Sequence, residues 1–572
     1  MSKKQQLASD SQQTQPARRG RPRQSKNSKA DRQESQATEL VVLADSAGLE
    51  LFHSPGADPD GFTSIPVDGH RETWRIGTKS FRYWLQRLYW NAHKSAANAQ
   101  AVQDGIGVLR GKAFFDGPEI SVFVRLAEFD GVIWLDIGNT DWQAVRIDGD
   151  GWDVVNAPPV RFVRPRGMLP LPIPERGGNV DDLRPFLNVG SDADWLLAVS
   201  WMIAALRPAG PYPVLGLHGE QGSAKSTACR MLRSLVDPND ADLRSQPRNE
   251  QDLVIAASNG WIVALENLSK IPDWFSDALC RLSTGGGFGT RELYTDDEEK
   301  LFNAKRPVML NGISELATRP DLLDRSILVT LPRIPDDARR TETELWQEFD
   351  AAKPRILGAL LDAVSTALAN IDGVVLPCKP RMADFAEWGC AAEPALNCVP
   401  GAFLAAYMGN RATANEAAIE SSIIAEPLLA LLRGRDDWDG TATELKGHLE
   451  DAADSRTIKQ HNWPKRPHVL SGELRRIAPN LRRMGIDVEF GRSGGRRFIR
   501  LARTTAQDSV QSVTHRENGR SGASPERHGT PSAAAENPGE NGPLGADDAN
   551  DAHLRDCSED DYAWVDDLIP PA

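Results

Sequence analysis

Gly219-Glu220-Gln221-Gly222-Ser223-Ala224-Lys225-Ser226-Thr227 is the stretch on which the fold of this chain turns. Pro213-Val214-Leu215-Gly216-Leu217-His218, just before it, reads as a buried strand. Ala228 to Val236, just after it, reads as a helix. Strand, glycine-containing loop, Lys-Ser, helix is the layout of a phosphate-binding loop. Such a loop wraps closely around a polyphosphate, so it needs small residues, and its N–H groups and the following helix N-terminus supply positive partial charge. The nine residues Gly219 to Thr227 would form the cradle, with Lys225 reaching the terminal phosphates and the Ser226 hydroxyl serving a Mg²⁺ ion. Ala224 stands where the usual pattern has a second glycine before the lysine, and its methyl group requires a negative φ there.

Further motifs follow in order. Trp261-Ile262-Val263-Ala264-Leu265-Glu266-Asn267 is an apolar run ending in an acid. A buried strand of this kind carries a carboxylate to the edge of a nucleotide site, where Glu266 would serve the metal or the attacking water. Asn267 occupies a position where many such sites have a second acid. Ser283 to Asp296 is glycine-rich and contains Arg291. Arg306-Pro307-Val308-Met309-Leu310-Asn311-Gly312-Ile313 is another apolar strand, ending in Asn311, and Arg319-Pro320-Asp321-Leu322-Leu323-Asp324-Arg325-Ser326 closes the series.

With these four ordered motifs, residues 190–335 resemble the helicase-like ATPases of superfamily 3, particularly those found with primases in phages and integrative elements. The resemblance implies an AAA+-type α/β core, ATP and Mg²⁺ as cofactors, and a ring of identical subunits. It implies that Asn311 is a sensor of the γ-phosphate or the attacking water. Arg325 would be an arginine finger supplied to the neighbouring subunit, unless it is spent on a salt bridge with Asp321 or Asp324. A hairpin between the two strands would touch single-stranded DNA through Arg291, with Lys305 and Arg306 as weaker matches.

The net charge of −14 excludes a uniformly basic nucleic-acid binder, but the charge is unevenly spread. Residues 1–39 form a polar, basic tail almost free of large apolar residues, expected to be disordered. Within it Arg18-Arg19-Gly20-Arg21-Pro22-Arg23 resembles an AT-hook, in which Arg19 and Arg21 would enter a narrow minor groove. The alternative is a generic basic tail that binds phosphate. Residues 504–572 carry 14 acidic against 4 basic residues and are expected to be disordered too. Their end, Ser558 to Pro570, reads as a docking peptide for a primase or other replication partner, as a DNA-mimicking tail, or as a plain solvated tail. The six cysteines lack Cys-x-x-Cys spacing, which argues against zinc and against a disulfide framework. No signal-peptide pattern and no membrane-length apolar run is evident, so the expected compartment is the cytoplasm and no membrane partner is expected.

The remaining blocks complete a multidomain α/β chain. Residues 40–178 read as an α+β module of unknown role, in which Asp136, Asp141 and Asp148 look like ordinary strand ends rather than a metal site. Residues 179–335 are the ATPase unit, and 336–433 read as helical. Residues 434–503 read as three helices and a hairpin, the pattern of a winged helix. Thr441 and Thr443 are N-cap candidates, and a helix ending near Ala478 is followed by another from Asn480 to Met484. The arginines of its second helix and wing, Arg475, Arg476, Arg482, Arg483, Arg492, Arg496, Arg497 and Arg500, give a duplex-binding footprint. The alternative is a protein-binding winged helix. The expectation is an ATP-dependent DNA helicase-like motor replicating a mobile element or phage. The rival readings are an ATP-switched DNA-binding regulator or loader that unwinds nothing, and a partner-recruiting scaffold with a degenerate ATPase.

Overall fold

The computed structural model describes residues 35–503 apart from 57, 269–270, 292–298, 303–304, 313–318, 421 and 494. The AT-hook-like Arg19 and Arg21 and the acidic stretch 504–572 lie outside the described residues.

The first described element is helix α1 (Gln36–Ser46), capped by the Ser35 hydroxyl and starting inside the stretch read as tail. Strands β1 (Glu50–His53), β2 (Gly61–Val67) and β3 (His70–Arg75) form an antiparallel sheet in that order. Helices α2 (Lys79–His93) and α3 (Ala99–Phe115) cover it. Leu40, Ile65, Phe81, Leu85, Ile106 and Leu109 close a separate small core here.

After the short β4 (Val122–Phe123) comes an antiparallel meander: β5 (Leu126–Phe129), β6 (Val132–Asp136), β7 (Ala144–Asp148) and β8 (Gly151–Val155). β9 (Arg161–Phe162) returns parallel to β4. The buried face of the meander, with Leu135, Val145, Ile147 and Trp152, belongs to the same core as Trp201 and Leu360 far along the chain. Residues 40–178 therefore divide among three clusters, the third formed by Ala127, Trp134, Ala144, Val160 and Phe162. Arg125 locks the junction. It is fully buried with φ of 65°, pairs with Asp237 at 3.2 Å, and also donates to the carbonyls of Asp136 and Leu169. Asp136 receives the Arg164 guanidinium through both oxygens at 2.7 and 2.9 Å, and Asp148 pairs with Arg146. Both carboxylates thus serve structure, and among the described residues no group of three or more His, Cys, Asp or Glu is placed to hold a metal.

Helix α4 (Asp192–Ala205) is buried almost all round from Trp195 onward, which explains an apolar run interrupted only by the buried Ser200. It is followed by β10 (Val214–His218), α5 (Lys225–Val236), α6 (Glu250–Ser258), β11 (Val263–Leu268) and α7 (Asp273–Thr284). Next come the two-stranded hairpin β12 (Phe288–Arg291) and β13 (Glu299–Phe302), then β14 (Val308–Gly312), α8 (Pro320–Leu323) and β15 (Ser326–Thr330). β11, β14, β10 and β15 form one all-parallel sheet in that order. Their near-continuous apolar sequences are what burial on both faces requires.

Helix α9 (Glu342–Asn370) is long and apolar enough to cross a bilayer by composition, but it is a core helix, with Ile356, Leu357, Leu360, Leu361 and Val364 buried. α10 (Ala383–Ala392), α11 (Ala402–Glu420) and α12 (Ala425–Leu431) lead to the C-terminal unit. That unit holds β16 (Asp437–Gly440), α13 (Ala442–Ala452), α14 (Ser455–Lys459), α15 (Pro467–Arg483), β17 (Ile486–Ser493) and β18 (Arg496–Arg503). The strands pair antiparallel in the order β16-β18-β17. Two readings change. Thr441, not Thr443, caps α13, in a capping box with Glu444. The helices expected on either side of Pro479 are one, because the proline forgoes a single i−4 bond while buried Leu474, Ile477, Ala478 and Leu481 hold one face across it.

Candidate phosphate-binding site and basic surfaces

The loop leaves the C-terminal end of β10 and enters α5. Gly219 has φ of 156°, and a Cβ there would run into the Leu331 carbonyl, so only glycine lets the chain pass. Gly222 has φ of 85°. Ser223 is fully buried and its hydroxyl donates to the Glu220 carbonyl at 2.9 Å. Ala224 departs from expectation: its φ is 61° and ψ 27°, the left-handed conformation, not the negative φ its methyl group calls for. The strain costs about 1 kcal/mol. Ala224 is also the N-cap of α5 and supplies no side-chain cap. The Lys225 ammonium donates to the Gly219 and Glu220 carbonyls, both at 2.7 Å, and partial burial holds its pKa below the usual lysine range.

Three adjacent strand ends converge on this loop. Asn311, on β14 between β10 and β11, is 2% exposed. Its Nδ2 donates to Ser226 Oγ at 3.3 Å and approaches Cys229 Sγ at 3.6 Å, while its Oδ1 accepts from the Asn267 N–H at 2.9 Å. Glu266 is half-buried, and its N–H donates to the Arg244 carbonyl at 2.9 Å. A bulge between Leu265 and Leu268 follows, with Asn267 exposed at φ of 57°. Burial, with the Glu266 charge adding to it and the Asn311 hydrogen bond opposing, pushes the Cys229 thiol up to about 12. That sulfur is a packing group. An amine, a hydroxyl and a carboxamide are thus held at the loop, and the β11 end that carries the Glu266 carboxylate lies along the same sheet edge. Sequence reasoning missed Asn188, whose Nδ2 donates to the Pro332 carbonyl at 2.5 Å and the Ser223 carbonyl at 3.4 Å, tying the loop to a cavity of about 450 Å³ lined by Leu187 to Asp192. A lone asparagine in a turn gives no signal of this.

Arg325 is not among them. The register pairs Val214 with Ser326 and His218 with Thr330, so Arg325 sits at the opposite, N-terminal edge of the sheet, about 16 Å away. Its Nη1 donates to the Asp321 carbonyl at 2.7 Å and its Nε is buried without a hydrogen-bond partner. Neither of the alternative salt bridges, to the Asp321 or the Asp324 carboxylate, forms. The Asp321 carboxylate takes Arg319, and Asp324 takes Arg483 at 2.6 and 3.0 Å and Arg411 at 3.6 Å.

The basic residues sort differently from expectation. Arg291 ends β12, in register with Glu299, at the far end of the hairpin. Arg306 is half-buried, donates to the Ala257 carbonyl at 3.1 Å and lies over the Trp261 ring, so it is a packing residue, while Lys305 reaches the Gly210 carbonyl at 3.3 Å. In the C-terminal unit Arg483 turns inward to Asp324 and Asn415 and leaves the footprint. Arg482 is held by Asp487, and Arg476 pairs with Glu473. The Arg475 guanidinium stacks 4.6 Å over Phe490. Arg496 and Arg497 remain exposed on β18.

Two family models match the chain. Residues 180–414 match the actinomycete integrative conjugative element replication protein, and residues 424–517 match the C-terminal domain of the same RepA family. No curated protein matches. Among solved structures, the A form apo structure of the NrS-1 C-terminal region is similar at 12% identity with a TM-score of 0.36, covering 83% of this chain and 100% of that one. A second apo structure of that region gives 13% identity and a TM-score of 0.35 over 83% and 100%.

Proposed function

We propose that this chain, a replication protein of a mobile element by its two family matches, is an ATP-hydrolysing motor acting on DNA. The observation that carries the reading is the Asn311–Ser226 contact at the loop that holds Lys225, with the strand end bearing Glu266 on the same C-terminal edge of a parallel sheet. The strand order supports an AAA+-type core, with the loop strand between the strand bearing Asn311 and the strand preceded by Arg325.

The residues fit a Mg²⁺-bound nucleoside triphosphate. Gly219 and Gly222 adopt backbone conformations that open a close cradle, the leading N–H groups of α5 have no side-chain cap, and the Lys225 ammonium already sits on carbonyls inside the loop. Bound there, ATP with Mg²⁺ would supply the phosphoanhydride bond whose cleavage releases free energy. Lys225 would exchange its two carbonyl partners for phosphate oxygens. Ser226 Oγ and the Glu266 carboxylate would hold the ion, an arrangement of few protein ligands that suits Mg²⁺. Asn311, fixed through Asn267, would orient the attacking water. Arg325, on the far edge, would act on a neighbouring subunit, which implies a ring. The exposed Arg496 and Arg497 and the stacked Arg475 fit a duplex contact by a winged helix, and the hairpin ending at Arg291 fits a single-strand contact in the ring channel. The cytoplasm is the compartment for such work.

The test is ATP hydrolysis by the wild type and Lys225→Ala, with and without single-stranded DNA. Hydrolysis stimulated by single strands and lost in the variant supports the motor. Left-handed Ala224, together with Asn267 where a second acid is usual, favours a second reading of slow turnover, with ATP as an assembly switch on duplex DNA. Hydrolysis indifferent to single strands, with nucleotide-dependent assembly, would select it.

A further inference from the structure

In a chain of net charge −14, residues 73–103 contain five lysines and arginines and no aspartate or glutamate. The centre of that stretch is α2. One face of α2 is core, with Phe81, Leu85 and Tyr89 buried. The other faces outward. At 100° per residue, Lys79, Tyr83, Gln86, Arg87, Trp90 and Lys94 fall on one stripe, and all six are exposed. Tyr83 is 57% and Trp90 52% exposed, unusual for rings of this size. They stand seven residues apart, two turns or about 10.5 Å along the axis.

The cations are interleaved with the rings. Lys79 Nζ lies 6.0 Å from the centre of the Tyr83 ring. The side chains of Arg87 and Lys94 make no hydrogen bond or ion pair among the described residues, whereas Arg82, at the edge of the stripe, is held by Gln103 at 3.2 Å. The C-cap Lys94 adopts φ of 51°, which ends the helix and turns the chain at the stripe's end. No aliphatic side chain lies between the rings, and Gln86 occupies the centre. A hydrophobic helix partner would want leucine or isoleucine there. Flat rings with cations beside them suit bases and phosphates, because every base has a π-face and every nucleotide a negative charge.

We infer that the outward face of α2 is a stacking platform for single-stranded DNA, with Tyr83 and Trp90 taking bases and Lys79, Arg87 and Lys94 taking phosphates. The platform lies on the small N-terminal core, apart from the nucleotide loop and the C-terminal arginines, so it does not depend on the ATPase reading. It gives this unit a role: it holds one strand while other parts of the chain act.

The experiment uses the full chain without nucleotide. An oligothymidylate carrying 5-iododeoxyuridine is photocrosslinked to wild type and to Lys225→Ala, and the tryptic peptides are mapped. Crosslinks on residues 83–87 and 88–94 in both proteins are expected. The double variant Tyr83→Ala/Trp90→Ala removes them and weakens the α2-dependent binding at least about tenfold. Tyr83→Phe/Trp90→Phe, which keeps the rings, restores it. Lys79→Ala/Arg87→Ala/Lys94→Ala lowers the slope of log affinity against log salt by about two. Absence of crosslinks on these two peptides, while the oligonucleotide binds elsewhere, overturns the proposal. Equal loss of crosslinks to a duplex competitor overturns it as well. Either result gives the face to a protein partner or to the acidic stretch 504–572.

Discussion

Asn311 Nδ2 and Ser226 Oγ meet at 3.3 Å, joining the end of β14 to the first turn of α5. The same carboxamide accepts the Asn267 N–H, so one buried side chain fixes the spacing between the loop helix and the strand end carrying Glu266. Asn311→Ala removes donor and acceptor together. Hydrolysis should fall about 10²- to 10³-fold, the usual effect of losing a preorganised polar group at a reacting centre. Nucleotide affinity should change little, because Lys225 and the loop N–H groups remain. Phosphate-release kinetics beside a nucleotide titration separates the two. Equal losses in binding and turnover would reduce Asn311 to a structural strut.

Ala224 carries strain that glycine would not. Ala224→Gly should stabilise the protein by about 1 kcal/mol, because glycine enters the left-handed region freely. Melting of the unit that carries the loop should rise by about 2 °C. Ala224→Val should do the opposite, since a β-branched residue at φ of 61° must shift the loop. A melting temperature that falls in the glycine variant would mean that the Ala224 methyl contributes packing the loop needs.

Much of this was legible in the sequence because the signals were local. Gly219, Gly222 and the Lys225-Ser226 pair sit at fixed offsets between a strand and a helix, and the strand-end positions of Glu266 and Asn311 follow from the apolar runs before them. What stayed hidden depends on distant partners. Trp152 donates to Asp362 at 2.8 Å, 210 residues on, which draws the meander into the later core. Arg483 reads as one of many surface arginines until Asp324, 159 residues earlier, meets it. The backbone at Ala224 departs from its local preference for a related reason: a methyl group's cost is local, but the fit that imposes the left-handed turn comes from the whole loop.

The Arg483–Asp324 pair docks α15 of the C-terminal unit against the residue next to Arg325. Both groups are mostly buried, at 20% and 15% exposed. Arg483→Ala would leave Asp324 with Arg411 alone, at 3.6 Å. Loss of two charge-assisted hydrogen bonds should cost about 2 kcal/mol, and limited proteolysis should release the C-terminal unit faster. Adding Asp324→Asn should recover part of the loss, because the stranded charge is then gone. Arg325 shares this loop, so the single variant should also lower turnover in assembled protein more than in dilute monomer. Intact docking in Arg483→Ala would show that α11 and α15 packing alone secures the unit.

His218 ends β10 directly beneath the loop. Its Nε2 meets Thr330 Oγ1 at 2.9 Å, and its Nδ1 is buried with no hydrogen-bond partner. Burial depresses its pKa below the ordinary histidine value, with Lys225 adding to the effect and Asp194 opposing it. The sign follows from linkage: the unfolded chain takes up a proton at about pH 6.5, the folded one only below that. Stability from this group is therefore full above about pH 6.5 and falls as the pH drops toward the depressed folded value, with a slope of at most about 1.4 kcal/mol per pH unit. Below that range the imidazolium would also stand beside the Lys225 ammonium and push on the loop. Urea denaturation at pH 7.5 and 5.5 should show a larger acid loss for wild type than for His218→Gln, whose amide can still reach Thr330 but cannot titrate. Nucleotide affinity should follow the same pattern. Equal acid losses in the two proteins would assign the pH dependence to other groups.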